Sequence, residues 1–439
     1  MTIPKQTKRS STLLILMVLI IIVSSPLLSP AETGEKMSLK KAIEAGIHQD
    51  DRYKNQLIDQ SIAKVNSQKA EMKKYFNLDF NGSYLFKSEK MEINFFPGKI
   101  IEAGTMHNYD MKVALAQPIY TGNIISNSIK LEMEKENLET YKTKLLEIEL
   151  ASRIKASYFT FRLLEKKRAS LNLLLENLKL HSKRVKDLFT EDLVRKSDVL
   201  ETEIKISETE MNIEDLDRMM TEEKINFKKL STIDIETVDP GYTESTEALE
   251  TSLNYYKEHH PVFRTANNNI RQLQLKKKIV AGAYLPQVST FAELHYGKPG
   301  LDLFKNKWGI YFQGGLGVNL KLWDWNQKKK DNSVIDHSIE KITNQQNEWI
   351  TETRKTLSQL YARMDSIQKQ LILLDQLIAT ASEDTKLKEE LYKESQVSNV
   401  DYLSSVLTQE RYQSMRDERL VEYGMVQITI NSLIGRIGE

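Results

Sequence analysis

The sequence predicts an α+β membrane protein: four strands per chain joining a trimeric, twelve-stranded transmembrane β-barrel, continued by a long α-helical coiled-coil barrel. Three observations carry this expectation. One strand-and-helix unit occurs twice, four stretches alternate apolar with polar residues, and the longest segments carry heptad patterns.

The composition sets the frame. Only nine Pro and seventeen Gly interrupt 439 residues, and long stretches of Leu, Ile, Glu, Lys, Gln and Ser read as helix. Lys and Arg number 62 against 61 Asp and Glu, a net charge of +1 that offers no field for nucleic acid. These mixed charges read as solvated helix faces. Cys is absent, which excludes disulfides, thiolate metal sites and an N-terminal lipid anchor on Cys.

Residues 1–31 read as a signal peptide: basic Lys5, Lys8 and Arg9, the apolar run Leu13 to Val23, then Ser29-Pro30-Ala31 as a small-x-small cleavage site. The run is short for a spanning helix, so the mature chain is expected to start near Glu32 and to be exported. No later segment approaches the run of about 18 apolar residues that a membrane helix needs. Such a chain either is soluble or crosses a membrane as strands.

The repeat appears at a fixed offset. Asp187-Leu188-Phe189-Thr190-Glu191 through Ser197-Asp198-Val199-Leu200 is echoed by Glu390-Leu391-Tyr392-Lys393-Glu394 through Val400-Asp401-Tyr402-Leu403, and 198 to 401 is 203 positions. Ile119-Tyr120-Thr121-Gly122-Asn123 answers to Leu322-Trp323-Asp324-Trp325-Asn326 at the same offset, 123 to 326. Further upstream, Asp51-Arg52-Tyr53 matches Pro261-Val262-Phe263, and Tyr75-Phe76-Asn77-Leu78 matches Leu285-Pro286-Gln287-Val288, with 51 to 261 giving 210. The first copy therefore holds seven extra residues between its strands (210 less 203), where a loop is expected. The expected organisation is a first repeat over 32–230, a linker over 231–246 containing Asp239-Pro240-Gly241, and a second repeat over 247–439. Each repeat reads as a helix (Leu39 to Lys74, or Glu247 to Ala283), two strands, and two long helices joined by a short turn.

The strands follow from period-2 patterning. Leu78, Phe80, Gly82, Tyr84 and Phe86 alternate with polar residues, as do Tyr109, Met111, Val113 and Leu115. Val288, Thr290, Ala292, Leu294 and Tyr296 form a third set, broken by Phe291, and Ile310, Phe312, Leu316, Val318, Leu320 and Leu322 a fourth. A half-buried sheet in a soluble protein would alternate in the same way. At about nine to thirteen residues each stretch can also cross a bilayer as a tilted strand, with Tyr120, Trp308, Trp323 and Trp325 at strand ends as an aromatic girdle. Four strands leave edges that lipid cannot satisfy, so closure requires other chains. Eight strands from two chains would fill with side chains, whereas twelve from three leave a lumen.

The helices come next. Leu357, Leu360, Met364, Ile367, Leu371, Leu374 and Ile378 are spaced 3-4-3-4-3-4, a coiled-coil seam, and Leu138, Tyr141, Leu145 and Ile148 repeat the theme. Such helices also occur in rods and bundles that conduct nothing, which leaves an exported coiled-coil scaffold without a pore as the alternative function.

With these residues in view, the chain resembles the TolC family of outer-membrane efflux proteins. The resemblance rests on Ser38-Leu39-Lys40-Lys41-Ala42-Ile43, Gln117-Pro118-Ile119-Tyr120-Thr121-Gly122, Tyr284-Leu285-Pro286-Gln287-Val288 and the two helix turns around Asp198 and Asp401. It implies a homotrimer in outer-membrane lipid, extending into the periplasm of a Gram-negative bacterium. It further implies a passive conduit for drug efflux or type I secretion, opened by an inner-membrane transporter and a periplasmic adaptor protein, with no cofactor and no reaction to catalyse.

The resemblance also assigns residues. Asp401 matches an inward-facing aspartate whose three copies form an acidic ring, and the same residue reads equally as a helix cap. Tyr392 matches a gate tyrosine bonded to an aspartate, here Asp198 with Ser197 beside it, although Phe189 in the first copy suggests plain packing. The turns Asp192-Leu193-Val194 and Ser395-Gln396-Val397 would meet the adaptor. Departures are Ser404 for a second aspartate, Val397 for an arginine, and Asp192 and Ser395 where glycines are usual, so a gate with fewer polar ties is expected.

Nothing else in the chain outlines chemistry. His259-His260 before Pro261 reads as a helix start, since no third ligand lies nearby, and Asn81-Gly82-Ser83 falls within a strand. No nucleophile-base set, phosphate loop or metal cluster points to an enzyme.

Overall fold

A computed structural model describes residues 37–96, 99–238, 246–394 and 396–437. The expected signal peptide, Asp239-Pro240-Gly241 of the expected linker, and Ser395 lie outside the described residues.

The first copy opens with α1 (Leu39–Gln49) and α2 (Asp51–Met72). The sequence pattern suggested one continuous helix here, but Asp50 is extended and its side chain accepts from Arg52 N–H, capping α2. The second copy breaks at the equivalent place, between α5 (Leu249–His259) and α6 (Pro261–Gly282). There His260 accepts from Val262 N–H at 3.2 Å, and Pro261, which has no N–H to leave unpaired, takes the first helical position. His260 is thus the helix-start residue expected, in the role of Asp50.

Part of the expected linker is packed structure. A 3₁₀ turn, Ile235–Thr237, and the bridge between Met37 and Val238 bring Ile235 and Val238 into a core with Leu39, Ile43, Ile154 and Phe227.

The sheet has β1 (Asn77–Phe86), β4 (His107–Tyr120), β5 (Gln287–Lys298) and β6 (Gly309–Asn319) in that order, all antiparallel. β6 ends three residues earlier than the alternation suggested. The longer connection of the first copy folds into its own hairpin, β2 (Met91–Phe96) and β3 (Lys99–Ala103), instead of an irregular loop. Phe291, which broke the alternation, lies over Gly315: a Cβ added there would sit 3.0 Å from its ring.

The long helices match in length. α3 (Ile124–Thr190) and α7 (Gln327–Lys393) have 67 residues each, about 100 Å at 1.5 Å per residue. α4 (Lys196–Ser231) and α8 (Asn399–Ile434) have 36 each. Both hairpin turns close with the same bond, Leu193 N–H to Leu188 O at 3.0 Å and Gln396 N–H to Leu391 O at 2.8 Å. Asp192 takes the left-handed conformation, φ 64°, that a glycine there would adopt at less cost.

The heptad seam of α7 is buried at Leu357, Ile367 and Leu374, the first two in one core with Val426 and Ile430 of α8 and Leu253 of α5. α3 packs on α2 and α4 of its own copy and on α6 and α8 of the other, whereas among the described residues α7 packs chiefly on α5, α6 and α8. Among the described residues no helix is long and apolar enough to cross a membrane.

Candidate functional site

The two faces of the sheet differ in chemistry. Phe80, Val113, Leu294 and Phe312 form one row across all four strands by backbone pairing, and their side chains are solvent-exposed. Tyr84, Met111, Tyr296, Ile310, Leu316 and Val318 extend this apolar face, which nothing among the described residues covers. A half-buried sheet of a soluble protein would pack these residues under a helix.

The opposite face is polar. Lys112 Nζ lies 2.8 Å from Glu293, whose other oxygen accepts from Gln313 at 2.6 Å, and His295 reaches Asp110 at 2.9 Å. The stacked ring of Tyr311 lies against His295 at 4.6 Å between centroids.

Of the four girdle residues, Trp308 lies at the loop end of the sheet, stacked on Tyr296 at 5.0 Å and near Tyr109 at 5.6 Å. Tyr120, Trp323 and Trp325 lie at the helix end, with Trp323 and Trp325 edge-to-face at 5.8 Å. Each end of the exposed apolar band therefore carries exposed aromatics.

At the far end of the helices the gate residues are placed as follows. Asp401 is exposed and forms a capping box with Ser398, accepting from its Oγ at 2.6 Å and its N–H at 3.4 Å. The bond from the Ser398 hydroxyl holds this carboxyl below the usual carboxylate range. Asp198 caps the equivalent helix of the first copy, accepting from Arg195 N–H at 3.0 Å. Asp192, Leu193 and Gln396 are exposed at the tips, Val194 and Val397 half-buried, and Ser197 exposed beside Asp198.

Tyr392 is buried, and its hydroxyl has no hydrogen-bond partner among the described residues. Burial raises its pKa, and the charge of Asp198 raises it further. The two side chains are near neighbours electrostatically without a bond between them.

The polar tie at this level is one the sequence reading missed. His181 of α3, 4% exposed, contacts Asn399 Oδ1 at 2.7 Å through Nε2. The Asn399 amide in turn donates to Asp198 O at 3.2 Å and Thr202 Oγ1 at 3.3 Å. Rings of Tyr402 and Tyr392 flank His181 at 4.6 and 5.3 Å, and Arg184 pairs with Glu389 at 3.0 Å just outside. Burial lowers the His181 pKa, so its neutral form donates to Asn399. This node joins α3, α4 and α8 over Tyr392 of α7, so both hairpins of the chain meet there. Its only sequence signal was Asn399 standing where the first copy has Lys196.

Among the described residues no group of three His, Asp or Glu side chains is arranged to hold a metal ion.

No protein-family model matches the sequence, and no curated protein sequence matches it. Solved structures do. The outer membrane protein VceC of Vibrio cholerae superposes with TM-score 0.73 at 11% identity, over 91% of this chain and 96% of that one. The MtrE outer membrane channel of Neisseria gonorrhoeae, in its open state, gives 0.71 at 12% identity over 91% and 89%. The CmeC outer membrane channel of Campylobacter jejuni gives 0.67 at 13% identity over 99% and 93%. The chain has the fold of these bacterial outer-membrane channel proteins.

Proposed function

We propose that the protein is a TolC-type outer-membrane channel for efflux or type I secretion, a homotrimer that serves as a passive conduit. An adaptor and an inner-membrane transporter would open it from the periplasm. The observation that carries this reading is the four-strand sheet with one exposed face apolar across its middle, one polar face and, among the described residues, two unpaired edges. In lipid the apolar face is solvated and the edges must be closed by neighbours.

The packing asymmetry supports closure by further copies. α3 has helices of both repeats along it, while among the described residues neither α2 nor α4, the first-repeat counterparts of α6 and α8, packs along α7. Those helices expose Ile58, Ile62 and Val65 on α2, and Ile204, Met211 and Ile225 on α4. A neighbouring chain placing its α2 and α4 beside α7, and its β1 beside β6, satisfies both sets. Three chains then give twelve strands with the Lys112–Glu293–His295 face lining the lumen.

At the inner end, Asp401 would form the acidic ring, and the hairpin tips, Asp192 to Val194 and Ser395 to Val397, would meet the adaptor. A scaffold without a pore would have no use for the exposed apolar sheet face. The reading is tested by adding the purified mature protein to a planar bilayer: discrete, cation-preferring conductance steps support it. A folded, detergent-free monomer that never conducts refutes it.

A further inference from the structure

The two repeats differ in charge where the sheet meets the long helices. In the first copy Pro118 to Asn127 carries no charged residue, whereas the equivalent Lys321 to Lys330 carries Lys321, Lys328, Lys329 and Lys330 against Asp324 alone. Lys321 and Lys328 hold their ammonium groups 5.3 and 5.0 Å from the centre of the Tyr284 ring. Asp324 accepts from the Tyr284 hydroxyl and from Lys328 N–H, which fixes this arrangement. Lys329 and Lys330 are exposed, and none of the four lysines joins an ion pair among the described residues, whereas Lys277 nearby is matched to Asp336.

Beside these cations stand Leu322 and Trp323, 85% and 70% exposed. β6 is an edge strand in the single chain, so their exposure needs a control, and the repeat supplies one. β4 is paired on both sides, yet Ile119 and Tyr120, the equivalents of Leu322 and Trp323, remain exposed, as does Ser126, the equivalent of Lys329. At Leu322, Trp323 and Lys329 the surface therefore stays open after a neighbour pairs with β6, while Asn127, the equivalent of Lys330, is half-buried. Trp325 is left out, because its equivalent Gly122 is buried against Gly282.

We infer that Leu322, Trp323, Lys329 and Lys330, with Lys321 and Lys328 behind them, form a docking site for the phosphate of an anionic phospholipid in the periplasmic leaflet. This rests on the channel reading, which places the helix end of the sheet at that leaflet. The indole lies at the interface, the leucine in the acyl region, and the four lysines just beyond at phosphate level, in excess over the neighbouring Asp324 and Asp331. Phosphate on a lipid is favoured over the free ion because the exposed apolar residues flank the cations on the membrane side.

The test uses the mature protein in detergent, with phosphatidylglycerol or phosphatidylcholine added at low salt and bound lipid read by native mass spectrometry. Wild type should retain phosphatidylglycerol over phosphatidylcholine by at least about tenfold. Each lysine contributes about fivefold, so Lys329→Gln/Lys330→Gln, at two exposed positions without ion pairs, should lose on the order of 25-fold. Inorganic phosphate at equal concentration should not displace the lipid. Equal retention of both lipids, an unaffected variant, or displacement by inorganic phosphate overturns the site. Conductance in a phosphatidylcholine bilayer separates the two readings: conduction without lipid discrimination defeats only the site, and discrimination without conduction defeats only the channel.

Discussion

Replacing His260 by Asn isolates one titration that the fold has built into its second repeat. The neutral imidazole caps α6 through Val262 N–H, and burial brings its pKa from 6.5 down to about 4. A folded-state pKa below the unfolded one means that the unfolded chain takes up the proton first as pH falls. The contribution is complete above pH 6.5 and is lost progressively down to about pH 4. The separation of 2.5 pH units (6.5 less 4) corresponds to about 3 kcal/mol per chain at 1.36 kcal/mol per unit, most of it gone by about pH 4.5. Asn caps without titrating. Denaturant midpoints of the mature protein in detergent at pH 7.5 and 4.5 should therefore fall further for wild type than for His260→Asn. His181 shifts in the same direction but is common to both proteins, so it cancels. Equal losses in the two proteins would refute the assignment.

Asn399→Ala strips His181, Asp198 O and Thr202 of one shared partner. It should cost about 1–3 kcal/mol in denaturant unfolding and raise the resting conductance of the closed channel. Asp401→Asn keeps a capping side chain while removing the charge, so cation preference and block by divalent cations should fall in bilayer recordings with helix content unchanged by circular dichroism. Gly122→Ala places a Cβ 2.3 Å from Gly282 O at φ 60°. Left-handed strain and overpacking together should destabilise the fold by roughly 2–5 kcal/mol, read as a lower thermal midpoint.

Much of the fold was legible because duplication checks itself. The offset of 203 recurs in the starts of α3 and α7, of α4 and α8, and in the two turn hydrogen bonds. The helix break at Asp50 was missed because amphipathic spacing continues across it, whereas Pro261 marked the helix start at His260. The β2–β3 hairpin was hidden in a short insertion that reads as loop. At the gate, the caps of Asp198 and Asp401 were readable from their position just after a turn. The His181–Asn399 bond was not, because it joins residues 218 positions apart, and neither is unusual in its own helix.

The central claim, that one chain is a third of a closed barrel, predicts which residues meet across the missing seam. β4 pairs with β5 so that Val113 faces Leu294. Carried through the repeat offsets of 203 and 210, that pair becomes Leu316 of one chain and Tyr84 of the next. Within one chain these positions sit on opposite edges of a four-strand sheet and at opposite ends of it, Tyr84 level with Tyr109 and Leu316 level with Gln117, on the order of 30 Å apart and far too distant for a disulfide. The protein has no cysteine of its own, so the double variant Tyr84→Cys/Leu316→Cys reports only this contact. Oxidised in the membrane and run under denaturing conditions, it should give a ladder ending at three covalently joined chains. Free monomer alone, or a ladder that continues past three, would contradict the account.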